Sequence, residues 1–302
     1  MLLTVPSFAK LNWTLEVLGK RADGYHELRT LLQTISAADE LVFELLDQHI
    51  ELHSAHPELP LDESNLIYRA ARSLREFTGC NKGVRVTINK RLPLAAGLGG
   101  GSSNAAVTLM ALLKLWQVRL ETQDLFRLGA QLGADVPFFF LGGTCIGVGR
   151  GDEVYPTAEI VVEHILLVNV NIAVPTREVY GSLPPGLTNP GTVTKMPISL
   201  RTAFEATCSR QTGASKYLPV LHNDLETPVF KRHLVLADIK QHLLKANARG
   251  SLMSGSGSTV FAFFDSAAAL SAAQQDLQQR GWWCAQARTL SRTEYHQALQ
   301  LS

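Results

Sequence analysis

The feature that most constrains this chain is the run Gly97-Leu98-Gly99-Gly100-Gly101-Ser102-Ser103, together with what flanks it. Upstream, Val84, Val86 and Ile88 alternate with Arg85, Thr87 and Asn89, the period-two pattern of a half-buried strand that ends at Pro93. Downstream, residues 103–116 are apolar at helical spacing. Strand, glycine-rich turn and helix therefore follow one another. A helix start leaves free backbone N–H groups and the positive end of the dipole. Glycines let the backbone approach an anion closely and adopt positive φ. Ser102 and Ser103 add hydroxyl donors, and together these features make a polyphosphate site. The bland alternative is a glycine turn without a ligand, but a glycine cluster is costly in entropy and needs a reason.

Two familiar phosphate loops are excluded. A P-loop ends in Gly-Lys-Ser/Thr, whereas Gly101 is followed by Ser102 and Ser103. A dinucleotide fingerprint needs a third glycine at the sixth position, where Ser102 (from Gly97) and Asn104 (from Gly99) stand. The protein-kinase signature set is also missing.

Composition narrows the class further. The 302 residues are 46% hydrophobic and 18% charged, enough for one large or two ordinary domains with a buried core. A net charge of +1 without a Lys/Arg run argues against a nucleic-acid partner. Cys80, Cys145, Cys208 and Cys284 are widely spaced, so neither a metal site nor a disulfide framework is expected, and reduced thiols are. The N-terminus reads as a strand rather than a signal peptide. The longest apolar stretch, 160–170, is broken by Glu163 and His164 and is too short to span a bilayer. A soluble cytoplasmic protein is expected, without membrane or nucleic-acid partners, as a monomer or weak homodimer.

Residues 8–18 alternate as a strand, with Asp23-Gly24 marking the turn that follows. A second strand is expected over 41–46 and a helix over 66–77, opened by Ser64-Asn65 and stopped by Gly79. Helices are expected over 122–132 and from Val136 onward, and 142–151 is a second glycine-rich stretch. The character changes near Tyr155, where a domain boundary is placed. A buried strand over 160–170 and a mobile Pro/Gly/Thr loop over 183–197 follow. A third glycine cluster, Ser254-Gly255-Ser256-Gly257-Ser258, leads into a strand over 259–264, a helix over 267–279 and a strand over 282–287.

Two side chains could act beside the loop. Asp135 lies between Gly133 and Pro137-Phe138-Phe139-Phe140, where apolar bulk suits a general base. It also reads as an N-cap before Pro137, and local sequence favours the cap. Lys10 lies mid-strand on the face of Asn12 and locally reads as a solvated lysine. It gains meaning only if Asp135 and the loop converge on it, since phosphoryl transfer is mostly positioning and charge neutralisation.

These pieces, in this order, resemble the GHMP kinase superfamily over nearly the whole chain. The resemblance rests on Pro6-Ser7-Phe8-Ala9-Lys10-Leu11-Asn12, Lys20-Arg21-Ala22-Asp23-Gly24-Tyr25-His26, Lys90-Arg91-Leu92-Pro93 through Asn104, Leu132–Pro137, Asn223–Glu226 and the third glycine cluster. The Arg21–His26 segment points to the branch whose acceptor is a cytidine diphosphate-linked sugar alcohol. The resemblance implies an α+β, two-domain fold: a ribosomal-protein-like α/β domain over 1–155 and a ferredoxin-like domain over 156–302. It implies ATP with Mg²⁺ on the loop Pro93, Leu94, Ala95, Ala96, Gly97, Leu98, Gly99, Gly100, Gly101, Ser102, Ser103 and Asn104, with Asn65 and Lys90 near the adenine end. Asp135 matches the family's general base and Lys10 its positioning lysine. Asn12, Tyr25, His26, Thr176 and Tyr180 match substrate positions, with Tyr25 and Tyr180 as two walls of a cytosine slot. Ala95 and Ala96 stand where the family often has glycines, so the loop start is expected to be stiffer or shifted. The competing readings are a homoserine- or mevalonate-type kinase, whose acceptors have no base to stack, and a non-catalytic nucleotide-binding protein.

Overall fold

The computed structural model describes residues 2–183 and 220–301. The 183–197 loop, apart from Leu183, and Cys208 lie outside the described residues.

The first sheet is organised by two long strands, β1 (Leu2–Lys20) and β2 (His26–Leu46), paired antiparallel along their whole length. Beyond these strands the sheet contains β3 (Ile50–His53), β4 (Gly83–Asn89), β5 (Thr144–Gly149), β6 (Glu153–Pro156) and β8 (His222–Asn223). Strand β2 serves two neighbours in turn: residues 40–46 pair with β4 and residues 28–33 with β5. The register shifts in β1 at Phe8/Ala9, Asn12/Thr14 and Val17/Gly19 mark the irregularities that let the long ribbon bend. Helices α1 (Leu66–Thr78), α2 (Gly100–Trp116) and α3 (Thr122–Leu132) cover one face. Their Ala70, Leu74, Ala105, Leu109 and Leu112 bury against Val5, Leu41, Phe43 and Val86. The short α4 (Phe138–Leu141) closes the end of that core.

The second sheet runs β11 (Trp283–Ala287), β7 (Ile165–Asn169), β10 (Val260–Phe263), β9 (Gly250–Met253), all neighbours antiparallel. In chain order that is 4-1-3-2, with helices on the first and last connections, the ferredoxin-like arrangement. Helices α6 (Glu226–Arg232), α7 (Leu234–Lys245) and α8 (Ala267–Gln278) cover one face through Val229, Leu236, Ile239, Leu243, Leu270 and Leu277. A further helix, α5 (Thr176–Gly181), follows β7. The other face meets β1 and β2: Trp13, Leu11, Leu31 and Ile35 pack with Ile165, Leu167, Phe261 and Phe263. This shared apolar layer fixes how the two sheets sit across the site. The last helix, α9 (Arg292–Leu299), crosses back onto the first core, where buried Tyr295 donates to the Phe139 carbonyl at 2.6 Å.

Several elements differ from the periodicity reading. β1 starts at Leu2 and β2 at His26, well before the expected 8 and 41. Residues 30–35 of β2 are buried on both faces, Gln33 and Thr34 included, so alternation vanishes. Strands β3 and β9 and helix α9 were not expected, and β5 occupies the glycine-rich 142–151 stretch. β7 is confined to 165–169. Helix α2 begins at Gly100, three residues ahead of the apolar pattern, because its first turn is made of glycine and serine. No described helix is long and apolar enough to cross a membrane.

Candidate active site

The glycine loop joins the end of β4 to α2. Gly97 (φ +76°) and Gly99 (φ +68°) are left-handed, and Gly99 is the N-cap of α2, with no side chain capping it. The first intrahelical bond recorded there is Ser103 N–H to the Gly99 carbonyl at 2.8 Å, which leaves the preceding N–H groups for an anion. Space also demands glycine. A Cβ on Gly97 would stand 2.1 Å from the Ser254 carbonyl oxygen, and one on Gly99 would stand 2.9 Å from Cγ of Lys10. The loop is pinned from beneath by Leu92, Ala96 and Leu98, buried in the layer between the sheets. Its side chains therefore serve packing, and its backbone is what an anion can meet. Ala95 takes φ +49°, so the loop keeps a left-handed residue where the family often has glycine. Pro93 and Leu94 are half-buried in the lead-in.

The expected hydroxyl donors divide. Ser103 is fully buried and its Oγ accepts from Ser7 at 2.8 Å, so it holds α2 to β1. Ser102 is partly exposed on the first turn of α2. Asn104 is buried, and its Nδ2 donates to Asp39 at 3.3 Å.

The third glycine cluster braces the loop from the second sheet. Ser254 Oγ donates to the Gly97 carbonyl at 2.9 Å, and Thr259 N–H donates to Ala96 at 3.1 Å. Asn223 holds that cluster by donating to the carbonyls of Met253 and Gly255, each at 2.8 Å. Thr176 Oγ1 lies 2.9 Å from Ser256 Oγ, which ties α5 to the same turn.

Lys10 is not a solvated strand lysine; it is 3% exposed. Its backbone N–H donates to the Leu98 carbonyl at 2.9 Å, fastening β1 to the phosphate loop. Its Nζ donates to Asn12 Oδ1 at 2.7 Å and lies 3.5 Å from Asp135 Oδ2. Asn12 is itself oriented by donating to Thr30 Oγ1 at 2.7 Å. Asp135 sits in the turn before α4, whose N-cap is Pro137 without a side-chain bond, so the capping alternative fails. Its carboxylate is about one-third exposed, at 35%, while its cation partner is buried. A carboxylate open to a substrate and a cation held behind it by two fixed contacts meet the geometric demands on a base and its positioning group.

Tyr180 faces His26, with ring centroids 5.2 Å apart and planes at 29°. Tyr25 is 57% exposed, and the Arg150 guanidinium lies 5.1 Å from its ring centroid. Burial, then Lys20, holds the His26 imidazole below its usual pKa, so the stacked ring is neutral at neutral pH. Burial, then the Asp135 charge, raises the Tyr180 phenol.

Asn65 and Lys90 are structurally engaged. Asn65 caps α1 by accepting from Ile67 N–H at 2.9 Å. Lys90 is buried against Asp39, Nζ to Oδ2 2.6 Å, with side chains 3% and 0% exposed. Asp39 is the residue that sequence reading missed. It lies in Ala37-Ala38-Asp39-Glu40, where nothing local separates it from its neighbour Glu40.

Fold and site together define an ATP-dependent small-molecule kinase of the GHMP class. The models for the GHMP kinases N terminal domain and C terminal domain match residues 65–143 and 204–281. The 4-diphosphocytidyl-2-C-methyl-D-erythritol kinase of Syntrophus aciditrophicus (strain SB) is 40% identical over 93% of this chain and 97% of its own. A crystal structure of 4-(cytidine 5'-diphospho)-2C-methyl-D-erythritol kinase superposes with TM-score 0.78 at 34% identity, covering 95% of this chain and 99% of that one. The chain belongs to the 4-diphosphocytidyl-2-C-methyl-D-erythritol kinase family. A homoserine kinase from Cytophaga hutchinsonii shares the fold at TM-score 0.63 with 19% identity, covering 96% and 95% of the two chains.

Proposed function

We propose that this protein transfers the terminal phosphoryl group of ATP to the 2-hydroxyl of 4-diphosphocytidyl-2-C-methyl-D-erythritol, giving the 2-phosphate and ADP in the non-mevalonate isoprenoid route. The observation that carries the reading is the 3.5 Å Lys10–Asp135 pair on a lysine whose own N–H is bonded to the phosphate loop. In this reading Asp135 takes the hydroxyl proton, and the freed oxygen bonds the terminal phosphorus as the bond to ADP breaks. Lys10 holds Asp135 and the acceptor oxygen in register and offsets the negative charge gathered there. Tyr25 and Tyr180 supply flat faces for the cytosine, His26 hydrogen-bonds it with Thr176 nearby, and Asn12 borders the acceptor.

ATP fits the loop because the glycines leave no Cβ in its way and the α2 N-terminus is uncapped. Among the described residues, no three His, Cys, Asp or Glu side chains group as metal ligands. Ser102, on the first turn of α2, would be the protein hydroxyl offered to Mg²⁺ arriving with ATP, whose remaining ligands would be phosphate and water. When bound, the ion draws charge from the phosphates. We divide the chain near residue 155, at the end of β6, with β8 and α9 returning to the first unit. We propose a monomer or weak homodimer in the cytoplasm.

The test is ADP release with ATP, Mg²⁺ and each of three acceptors: the cytidyl sugar alcohol, mevalonate and homoserine. Turnover with the first alone is expected. Equal turnover with homoserine or mevalonate, or none with the cytidyl compound, would overturn the assignment.

A further inference from the structure

We infer that Asp39 is a positioning residue that clasps the two ends of the phosphate loop together, with Lys90 as its counter-ion rather than a nucleotide ligand. The inference rests on the reading that ATP occupies the glycine loop. Asp39 Oδ1 accepts from the backbone N–H groups of Arg91 and Leu92, each at 2.9 Å, just after β4 ends. Its Oδ2 accepts from Lys90 Nζ at 2.6 Å and from Asn104 Nδ2 at 3.3 Å. Arg91 and Leu92 begin the segment that becomes the loop, and Asn104 lies one turn into α2, so one carboxylate binds both ends. A third segment supplies it: Asp39 sits on β2, directly before the residues that pair with β4.

The side chain of Asp39 is fully buried and that of Lys90 almost so, which excludes an ordinary surface pair. A buried ion pair contributes little net stability, and breaking it from one side leaves an uncompensated charge. Here that charge would lie directly under the anion site. A Cβ on Gly100 would stand 3.2 Å from Lys90 Nζ and 3.7 Å from Asp39 Oδ2. An unneutralised Asp39 would repel a polyphosphate at the α2 N-terminus, and Lys90 cancels it in place. Asn104 Oδ1 is buried without a recorded partner, so its Nδ2 is the polar end the clasp uses.

The experiment measures ADP and acceptor binding separately by calorimetry for the wild-type enzyme, Asp39→Asn, Lys90→Met and the double variant, below their melting temperatures. Each single variant is expected to lose about tenfold or more in ADP affinity, with acceptor affinity changed less than about threefold. The double variant is expected to bind ADP no more weakly than the worse single, because both changes act through one clasp. Additive losses would overturn the inference, because they would mean that Lys90 touches the nucleotide by itself. Unchanged ADP affinity in a folded Asp39→Asn, or equal losses for ADP and acceptor, would overturn it too. If Asp39→Asn does not fold, Asn104→Ala opens the helix side of the clasp alone and carries the same expectation and the same refutation. A wild-type enzyme that fails to bind ADP would instead refute the nucleotide reading itself.

Discussion

Gly97→Ala tests whether the two halves of the site are locked through the phosphate loop. The added methyl would lie 2.1 Å from the Ser254 carbonyl oxygen and 3.0 Å from that of Gly257, both backbone atoms that cannot rotate away. The residue also needs φ +76°, which costs a non-glycine residue about 1–2 kcal/mol. Relieving the overlap adds about 1–3 kcal/mol of overpacking. The combined loss of about 2–5 kcal/mol corresponds to a melting temperature lower by about 3–8 °C. Function should suffer more than stability, because the loop must retreat by about 1 Å from the second sheet, and such displacements cost about 10²-fold in rate. The Ser254-to-Gly97 hydrogen bond would be lost with it. Steady-state ADP release and differential scanning fluorimetry measure both effects. Gly101→Ala is the folding control: its Cβ meets only Leu66 Cδ1, at 3.6 Å, inside a helix, so melting should hold or rise. If Gly97→Ala keeps kcat/KM within about twofold and melts within about 1 °C of wild type, the interlock does not control the loop.

Asp135→Asn should lower kcat by about 10²–10⁴-fold while ADP still binds, because the base is lost and the loop is untouched; turnover near wild type in ADP release would remove Asp135 from the role. Ala95→Gly relieves a left-handed alanine at φ +49°, so the melting temperature should hold or rise, with strain relief of about 1–2 kcal/mol set against about 0.5–1 kcal/mol of glycine entropy. A clear drop in melting would mean that the conformation is unstrained. The His222 imidazole is raised above 6.5 chiefly by its hydrogen bond to Asp224, at 2.8 Å, where β8 joins β1. A raised folded value adds stability that is fully present below 6.5 and is lost as pH rises through the folded value. His222→Gln should therefore melt closer to wild type at about pH 8 than at about pH 6, and a constant gap across that range would refute the coupling.

Local pattern carried the phosphate loop and the helices around it. Asn65 and Gly79 bracket α1 as expected, since a cap and a left-handed stop are encoded by the residues themselves. The glycines at 97 and 99 announced a tight backbone, and both take positive φ. The resemblance also singled out Lys10 and Asp135, which local sequence had read as a solvated lysine and a cap. Their pairing at 3.5 Å, across 125 positions of chain, needed the fold to bring a bulged strand and a turn together. The same holds for His26 and Tyr180, whose rings meet at 5.2 Å although they are far apart in the chain. Asp39 is the clearest case. Its burial comes from β2 lying between β1 and β4 under α2, and no local period records that. The sequence by itself determined where a polyphosphate could be cradled, because that depends on adjacent residues and their backbone freedom. Tertiary structure alone decided which charges stand behind the cradle and at what distance, because buried partners far apart in the chain are selected by packing.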